Sequence, residues 1–342
     1  MVLPPQEIID EWRDRTWITI GVNGVAYPFL APKVLDDGQA FTRLEAGKEV
    51  TLNLHLKGQP SVAGQTLWVH GINVPDVSTW GWAFTNPYVP GLTWKQEYGW
   101  YDCNKFEPET GHGADPESDS NLCWAASSSN LIYWWLDQNK ENIERYGKFD
   151  LSPWTYKGSL QCPIFHYYNE HFPNIGHNVA TGIAWFFTGE AEAATKKGGG
   201  FFKDVVGNKQ IVRVGGTTAA TFSRDLKEAL LSKEAVELTH ATPGATHAIT
   251  LWGAEFDEND KVCAVYVCDN NDRSNDTEWN EVIDKSTGKP IVKIGLYHRK
   301  IEFRNGTVYM QGSTQACNIR VDELNFLGTC EDLWKEYFRK NP

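Results

Sequence analysis

The chain lacks the features that would assign it to several common protein classes. None of its apolar stretches approaches the roughly 20 residues that a membrane-spanning helix needs, so we predict no membrane span. It has no basic run that could follow a phosphate backbone, and its formal net charge of -12 argues against nucleic-acid binding. The segment Met1–Pro5 has neither the charged nor the apolar region of a signal peptide, so we expect either a cytoplasmic protein or an exported one whose leader has been removed.

The motifs of several other hydrolases are missing as well. The chain has no GxSxG turn, which argues against a serine hydrolase, and no HExxH pair, which argues against a zinc peptidase. Cys162, His166, His171 and His177 fall within sixteen residues, but their spacings match no zinc pattern. We interpret these four side chains as structural, with a metal site as the rival hypothesis, and we predict that the protein uses no cofactor.

The cysteines form an odd set without a CxxC pair. If one of them is a free nucleophile, the other six could form three disulfides, which would fit an exported protein, but all seven could equally be reduced thiols. The count therefore favours a secreted, cell-surface or periplasmic protein without establishing it. The seven are Cys103, Cys123, Cys162, Cys263, Cys268, Cys317 and Cys330.

The first part of the chain is predicted to be β-rich. Trp17–Val22 and Glu49–Leu56 alternate or run apolar, with glycine and Asp-Asp-Gly punctuation between them. Gly58–Gly64 marks the expected boundary. We therefore predict a small accessory module over residues 1–65 and a larger domain over residues 66–342.

A helix that could carry a nucleophile is predicted in the second domain. No glycine or proline occurs from Asn121 to about Tyr146, and Ser118–Ser120 offer capping groups before this segment. Cys123 should therefore lie in the first helical turn, where unpaired amides and the helix dipole lower the pKa of a thiol. A cysteine packed in the core is the alternative for this residue alone.

A predicted hairpin supplies possible partners for the thiol. His247–Trp252 and Val262–Cys268 read as strands on either side of a turn at Asp257–Asp260. Pairing them about this turn brings His247 opposite residues 269 and 270, which is the arrangement that a Cys-His-Asp triad needs. Because a one-residue slip turns a side chain to the other face, the carboxylate or amide partner is any of the four residues in Asp269–Asp272.

These elements together predict an α+β fold. A further helix is expected at Ser223–Leu231 and a further strand at Ile291–Ile294. A helix that carries the cysteine, followed by antiparallel strands, is typical of this fold class.

Four separated blocks of the sequence carry a family resemblance. They are Gly99–Asp102, Leu122–Ala126, Trp134–Lys140 and His247–Asp257. Together they resemble the IdeS/Mac family of secreted bacterial cysteine peptidases, virulence factors that degrade immunoglobulin G. The similarity is dense over residues 99–147 and 246–272, weak between them and absent before about residue 65.

The resemblance implies a papain-like fold and a set of catalytic roles. It assigns Cys123 as the nucleophile, His247 as the base and Asp269 as the acid that orients the histidine. Lys105 falls where the family has an oxyanion-hole contributor. The family has a second acidic residue two positions after the first, and Asn271 stands there in this chain.

The resulting hypothesis is a secreted thiol endopeptidase that acts on a host protein such as immunoglobulin. Trp124 stands where the family has a small glycine, so the pocket beside the nucleophile is expected to differ in shape. The alternative hypothesis is a non-enzymatic binding module for proteins or glycans with a tryptophan-rich surface. Its candidate residues are Trp80, Trp82, Trp94 and Trp100.

Overall fold

The computed structural model describes residues 6–9, 18–22, 25–29, 31, 40–44, 65–75, 91–105, 119–272, 294–312 and 316–342. The chain divides into two compact units, residues 1–61 and 62–342. In the first unit β1 pairs with β4 and β2 pairs with β3, both antiparallel. These strands are β1 (Gln6–Glu7), β2 (Ile18–Val22), β3 (Val25–Phe29) and β4 (Arg43–Leu44). The predicted strand at Glu49–Leu56 lies outside the described residues, and an accessory role for this part of the chain stays a prediction.

The second unit is built on an antiparallel sheet that closes on itself. Its strands follow the order β11-β10-β9-β8-β7-β12-β6, β5 pairs with β8, and β11 also pairs with β12, so that β7 to β12 form a closed barrel. The strands are β5 (Thr66–Trp68), β6 (Val212–Gly215), β7 (Glu234–Thr242), β8 (Ala245–Phe256), β9 (Val262–Cys268), β10 (Tyr297–Arg304), β11 (Thr307–Gln311) and β12 (Cys317–Gly328).

Helices surround this sheet and complete the α+β fold. They are α1 (Cys123–Gln138), α2 (Lys140–Tyr146), α3 (Pro163–His171), α4 (Val179–Thr188), α5 (Lys203–Val206), α6 (Phe222–Leu231) and α7 (Glu331–Lys340). The predicted helix at Ser223–Leu231 is confirmed as α6, and the two predicted hairpin strands are confirmed as parts of β8 and β9. The strand predicted at Ile291–Ile294 is described only at Ile294, which lies in no strand. None of the helices in the described ranges has both the length and the apolar character to cross a membrane.

The prediction of one continuous helix to Tyr146 is wrong at Asn139. There the backbone leaves the helix (φ -112°, ψ 14°), and α2 begins at the next residue. The Asn139 side-chain amide donates a hydrogen bond to the Trp135 carbonyl at 2.9 Å, and the Asn139 N–H donates to the same oxygen at 3.0 Å. A side chain that bonds to a nearby carbonyl in this way competes with the regular helical ladder.

Aromatic packing fixes α1 against the sheet. Trp135 is fully buried, with its ring centroid 4.7 Å from Phe187, 4.9 Å from Phe202 and 6.0 Å from Trp334. Truncating a buried ring of this size typically costs about 3–5 kcal/mol of stability. Because α1 also packs on β7 and β8, this core holds the first turn of α1 beside the start of β8.

Candidate active site

Cys123 is the first residue of α1, as the sequence predicts. The N-cap position is Leu122, which makes no side-chain capping hydrogen bond. The prediction that a residue of Ser118–Ser120 caps this helix is therefore wrong for Asp119 and Ser120. Ser118 lies outside the described residues. Asp119 instead accepts the Leu122 N–H through its backbone carbonyl at 2.9 Å. The Cys123 N–H is one of the first-turn amides that an α-helix leaves without an intrahelical acceptor.

The β8–β9 hairpin brings a histidine and a carboxylate together. The Asp269 Oδ1 atom lies 2.8 Å from His247 Nε2. The register differs from the prediction, because bulges follow Leu251 and Glu255, and the last pair of the ladder is Thr250 with Cys268. Extending that ladder would place position 271 opposite His247, so Asp269 reaches the ring diagonally on the same face.

A tight turn after β9 orients the Asp269 carboxylate. The Asn271 N–H donates to Asp269 Oδ1 at 3.0 Å, and the Asp272 N–H donates to the Asp269 carbonyl at 3.1 Å. Short polar side chains stabilise turns in this way. Of the four candidates at this turn, all within the described residues, Asp269 is the one hydrogen-bonded to His247, while the exposed Asn271 contributes its backbone.

Asn270 ties the turn to the helix and to β8. Its side-chain amide nitrogen lies 2.7 Å from the Ala248 carbonyl, 3.3 Å from the Cys123 carbonyl and 3.3 Å from Ser127 Oγ, and the residue is 2% exposed. This side chain therefore bridges the two elements that carry the thiol and the imidazole. Sequence reasoning named Asn270 only as one possible partner of the histidine.

Lys105 lies beneath the turn that precedes Cys123. Its Nζ atom donates to the Ser120 carbonyl at 2.7 Å, and its N–H donates to the Asn270 carbonyl at 2.9 Å. Only 2% of the residue is exposed. A buried cation at this position favours a negative charge on the neighbouring sulfur.

The charges of the site favour a thiolate beside an imidazolium. Burial alone would raise the pKa of the Cys123 thiol, but the hydrogen bond and charge of His247, together with the charge of Lys105, bring it down to about 7. Burial alone would lower the pKa of His247, but Asp269 and the thiolate raise it to about 9. Burial also opposes ionisation of Asp269, yet the His247 charge and hydrogen bond hold its pKa well below the usual range.

Two buried titratable side chains on β7 lie near this group and were missed by sequence reasoning. His240 pairs with His247 across β7 and β8, with the ring centroids 5.3 Å apart. Glu237 is fully buried, accepts hydrogen bonds from Thr239 Oγ1 at 2.6 Å and Asn325 Nδ2 at 2.7 Å, and has its pKa raised by burial to about 8. Only the pairing of β7 with β8 could have revealed them, since neither belongs to a recognisable motif.

The rival metal site does not assemble. Cys162 Sγ lies 3.3 Å from the Ser159 carbonyl, His171 Nδ1 lies 2.7 Å from the Tyr167 carbonyl, and His177 packs edge-on against an indole ring. Within the ranges that the structure describes, no three His, Cys, Asp or Glu side chains are grouped so as to hold a metal ion.

The described residues also include two of the four tryptophans of the binding-module hypothesis and all seven cysteines. Trp100 is fully buried, and Trp94 is half-buried with its indole N–H donating to the Trp100 carbonyl at 2.7 Å, while Trp80 and Trp82 lie outside the described residues. All seven cysteines are described and all are free thiols, so the arrangement with three disulfides is absent.

Comparison with known proteins gives two matches. The model of the Mac-1 family (Mac 1) matches residues 34–151 and 189–295, so the similarity begins earlier than the sequence blocks indicated. The chain is also 25% identical over 333 residues to the IgM protease of Streptococcus suis (strain P1/7). That alignment covers 86% of this chain but 27% of the relative, so the chain spans about a quarter of the relative's length.

Proposed function

Because the chain belongs to the Mac-1 family, we propose that it is a cysteine endopeptidase that cleaves an immunoglobulin. The observation that carries the proposal is the hydrogen bond between His247 and Asp269, beside a thiol at a helix start whose pKa His247 lowers. All three residues fall within the ranges that the family model matches. A nucleophile, a base and a residue that orients the base are the minimum set for acyl transfer.

The first step follows from the charges of the resting site. His247 Nε2 is bonded to Asp269, so we assign Nδ1 as the ring nitrogen that exchanges protons in the reaction at the thiol. In the proposed reaction the Cys123 thiolate attacks the carbonyl carbon of a peptide bond, and the carbonyl oxygen takes up the negative charge. No proton has to leave the sulfur at this moment, because the imidazolium already holds it.

The developing oxyanion needs hydrogen-bond donors. We assign the Cys123 N–H, free at the start of α1, and the ammonium of Lys105 to this role. The Nζ atom of Lys105 donates to the Ser120 carbonyl at 2.7 Å, which holds the ammonium at the turn that precedes Cys123.

Proton transfer completes the cycle. His247 gives its Nδ1 proton to the leaving amine as the C–N bond breaks, and a thioester to Cys123 remains. A water molecule then attacks the thioester while His247 accepts its proton. The acid product leaves and the thiolate–imidazolium pair is restored, with Asp269 holding the ring in one orientation throughout.

The arrangement supports a papain-like fold in which asparagine stands at the position of the second of two acidic residues. A cysteine at a helix start and a histidine at the edge of an antiparallel barrel give the geometry that such peptidases use. Asn271 in place of a second acid leaves one negative charge fewer near His247. Residues 1–65 are proposed as an accessory module and residues 66–342 as the peptidase domain.

Substrate class and location come from the family and the relative. The relative's name gives it IgM as substrate, and we propose an immunoglobulin, with IgM tested first, as the substrate of this chain. An extracellular place of action follows from that substrate.

The test compares wild-type protein with two cysteine variants. Intact IgM, intact IgG and an unfolded protein are incubated with wild type, Cys123→Ala and Cys263→Ala, each with and without iodoacetamide, and the products are measured by intact mass. Cys263 is an exposed thiol on β9 and serves as the matched control.

Fragments of an immunoglobulin alone, lost in Cys123→Ala and after alkylation but retained in Cys263→Ala, are the expected result. Thiol-dependent cutting of the unfolded protein alone would keep the peptidase and remove the immunoglobulin assignment. Cleavage by Cys123→Ala would refute the mechanism. Absence of cleavage with all substrates would favour the binding-module alternative.

A further inference from the structure

We propose that His240 is a positioning residue that holds the ring of His247 in the plane from which it meets both the thiol and the carboxylate. The inference rests on the proposed function of Cys123, His247 and Asp269. His240 itself takes no part in the proton transfers described above.

The position of His240 follows from the sheet. It lies directly opposite His247 in the β7–β8 ladder, and on its other side it pairs with Val321 of β12. A bulge in β12 between Val321 and Glu323 adjoins this point, so the ladder is irregular beside the site. Bulges are common next to active sites, where they change the direction of a side chain.

The two imidazole rings make an edge-to-face contact. Their centroids are 5.3 Å apart with an angle of 79° between the ring planes, and both histidines are at most 7% exposed. Aromatic rings prefer this geometry, which opposes rotation of either ring. His247 needs such a restraint, because turning its ring would break the contacts of both nitrogens together.

The hydrogen bond of His240 fixes its own orientation. Its Nδ1 atom lies 3.2 Å from the Ala241 carbonyl, which can only accept, so Nδ1 carries the proton of the neutral ring. The ring is thereby anchored to its own strand rather than to the groups that react.

Between about pH 4 and pH 9, His240 is neutral while His247 is charged. The charged groups that face it are His247 from β8, Asp269 from the turn after β9 and Asp322 from β12. Burial and the His247 charge lower the pKa of His240 to about 4, and the two carboxylates only partly oppose them. A neutral ring can therefore pack against the imidazolium without like-charge repulsion.

Alkylation of the thiol tests this inference without knowledge of the substrate. Wild type, His240→Leu and His240→Phe are treated with iodoacetamide from pH 5 to 10, and the rates at Cys123 and Cys263 are read separately by peptide mass. Leucine fills the space without a flat ring, and phenylalanine restores the ring without its nitrogens. Thermal unfolding of each variant shows that it is folded.

We expect His240→Leu to slow Cys123 alkylation at pH 7 by up to about tenfold, because the contact between two aromatic rings changes an equilibrium constant by up to about that factor. The acid limb of the alkylation profile should move to higher pH. His240→Phe should match wild type, and Cys263 should react alike in all three. A leucine variant with the wild-type rate and profile would overturn the inference, as would equal losses in both variants, which would point to a ring nitrogen. Wild-type Cys123 reacting no faster than Cys263 at pH 7 would instead refute the proposed nucleophile itself.

Discussion

Replacing Asp269 by asparagine removes the charge that keeps His247 protonated and leaves a side chain of nearly the same shape. Asp269 and the thiolate raise the pKa of His247 to about 9, and His247 and Lys105 bring that of Cys123 down to about 7, so the ion pair is the favoured form between these two values. Without the carboxylate, the two groups move towards their ordinary values of 6.5 and 9.0. The neutral pair then gains at the expense of the ion pair, and a shift of two pKa units in the pair corresponds to about a hundredfold, so we expect activity at pH 7 to fall by about that factor.

The pH dependence of cleavage and of Cys123 alkylation tests the direction of these pKa changes. In wild type the thiolate forms as the pH rises through about 7, so Cys123 alkylation by iodoacetamide should rise there, and the imidazolium that cleavage also needs is lost as the pH rises through about 9. Cleavage should follow a bell between the two values. In Asp269→Asn the bell should disappear, and alkylation should rise only towards the pH at which an ordinary thiol ionises.

The matched control is Asp332→Asn, because that carboxylate lies 95% exposed on α7 and changes the net charge by the same amount. Its profile should equal that of wild type. An unchanged bell in Asp269→Asn would refute the reasoning, since it would mean that Asp269 does not set the charge of His247.

Three further substitutions test other parts of the site. Lys105→Met should lower kcat by about a hundredfold or more through loss of the oxyanion donor that we propose, with KM little changed, as steady-state kinetics would measure. Asn271→Asp restores the second acid of the family and should move the alkaline limb of the pH–rate profile to higher pH, because a nearby negative charge raises the pKa of a histidine. Gly182→Ala should destabilise the protein by about 1–3 kcal/mol in urea unfolding, because its Cβ would lie 2.8 Å from the Trp124 ring. Gly176→Ala, where a Cβ meets nothing within 4 Å, is the control and should unfold like wild type.

The β8–β9 hairpin shows which features the sequence predicts and which it does not. β8 and β9 are recognisable because their apolar runs are bounded by a clear turn. Their register is not, because it shifts between Leu251 and Gly253, and at Gly253 an added Cβ would lie 2.5 Å from the ring of Trp68 on β5. A contact between segments so far apart in the chain leaves no local pattern.

The prediction of one continuous helix to Tyr146 is wrong for a different reason. The start of α1 near Cys123 is predicted by the segment without glycine or proline that begins at Asn121, although the expected caps at Asp119 and Ser120 are not used, and the break at Asn139 depends on where one amide side chain points. Asparagine occurs in helices and at their ends alike, so its identity alone does not decide between these outcomes.

The residues that surround the candidate triad were the least predictable. His240 and Glu237 lie beside it only because β7 is the neighbour of β8, and Asn270 bridges two elements through a side chain that is 2% exposed. Strand order and side-chain direction are properties of the whole fold. Sequence motifs therefore identify the candidate reactive residues, but not the neighbouring residues that position them.

Strand β8 has a consequence for how this protein should fail on heating. His247 lies two residues after its start, opposite His240, in a β7–β8 ladder that runs without a register shift from Thr242–Ala245 to Val236–Leu251. A histidine on an exposed loop could be displaced while the rest of the molecule stays intact. The candidate base is instead part of the β7–β8 ladder, so we expect it to leave its place when that ladder separates, and thermal inactivation and cooperative melting should then occur at one temperature.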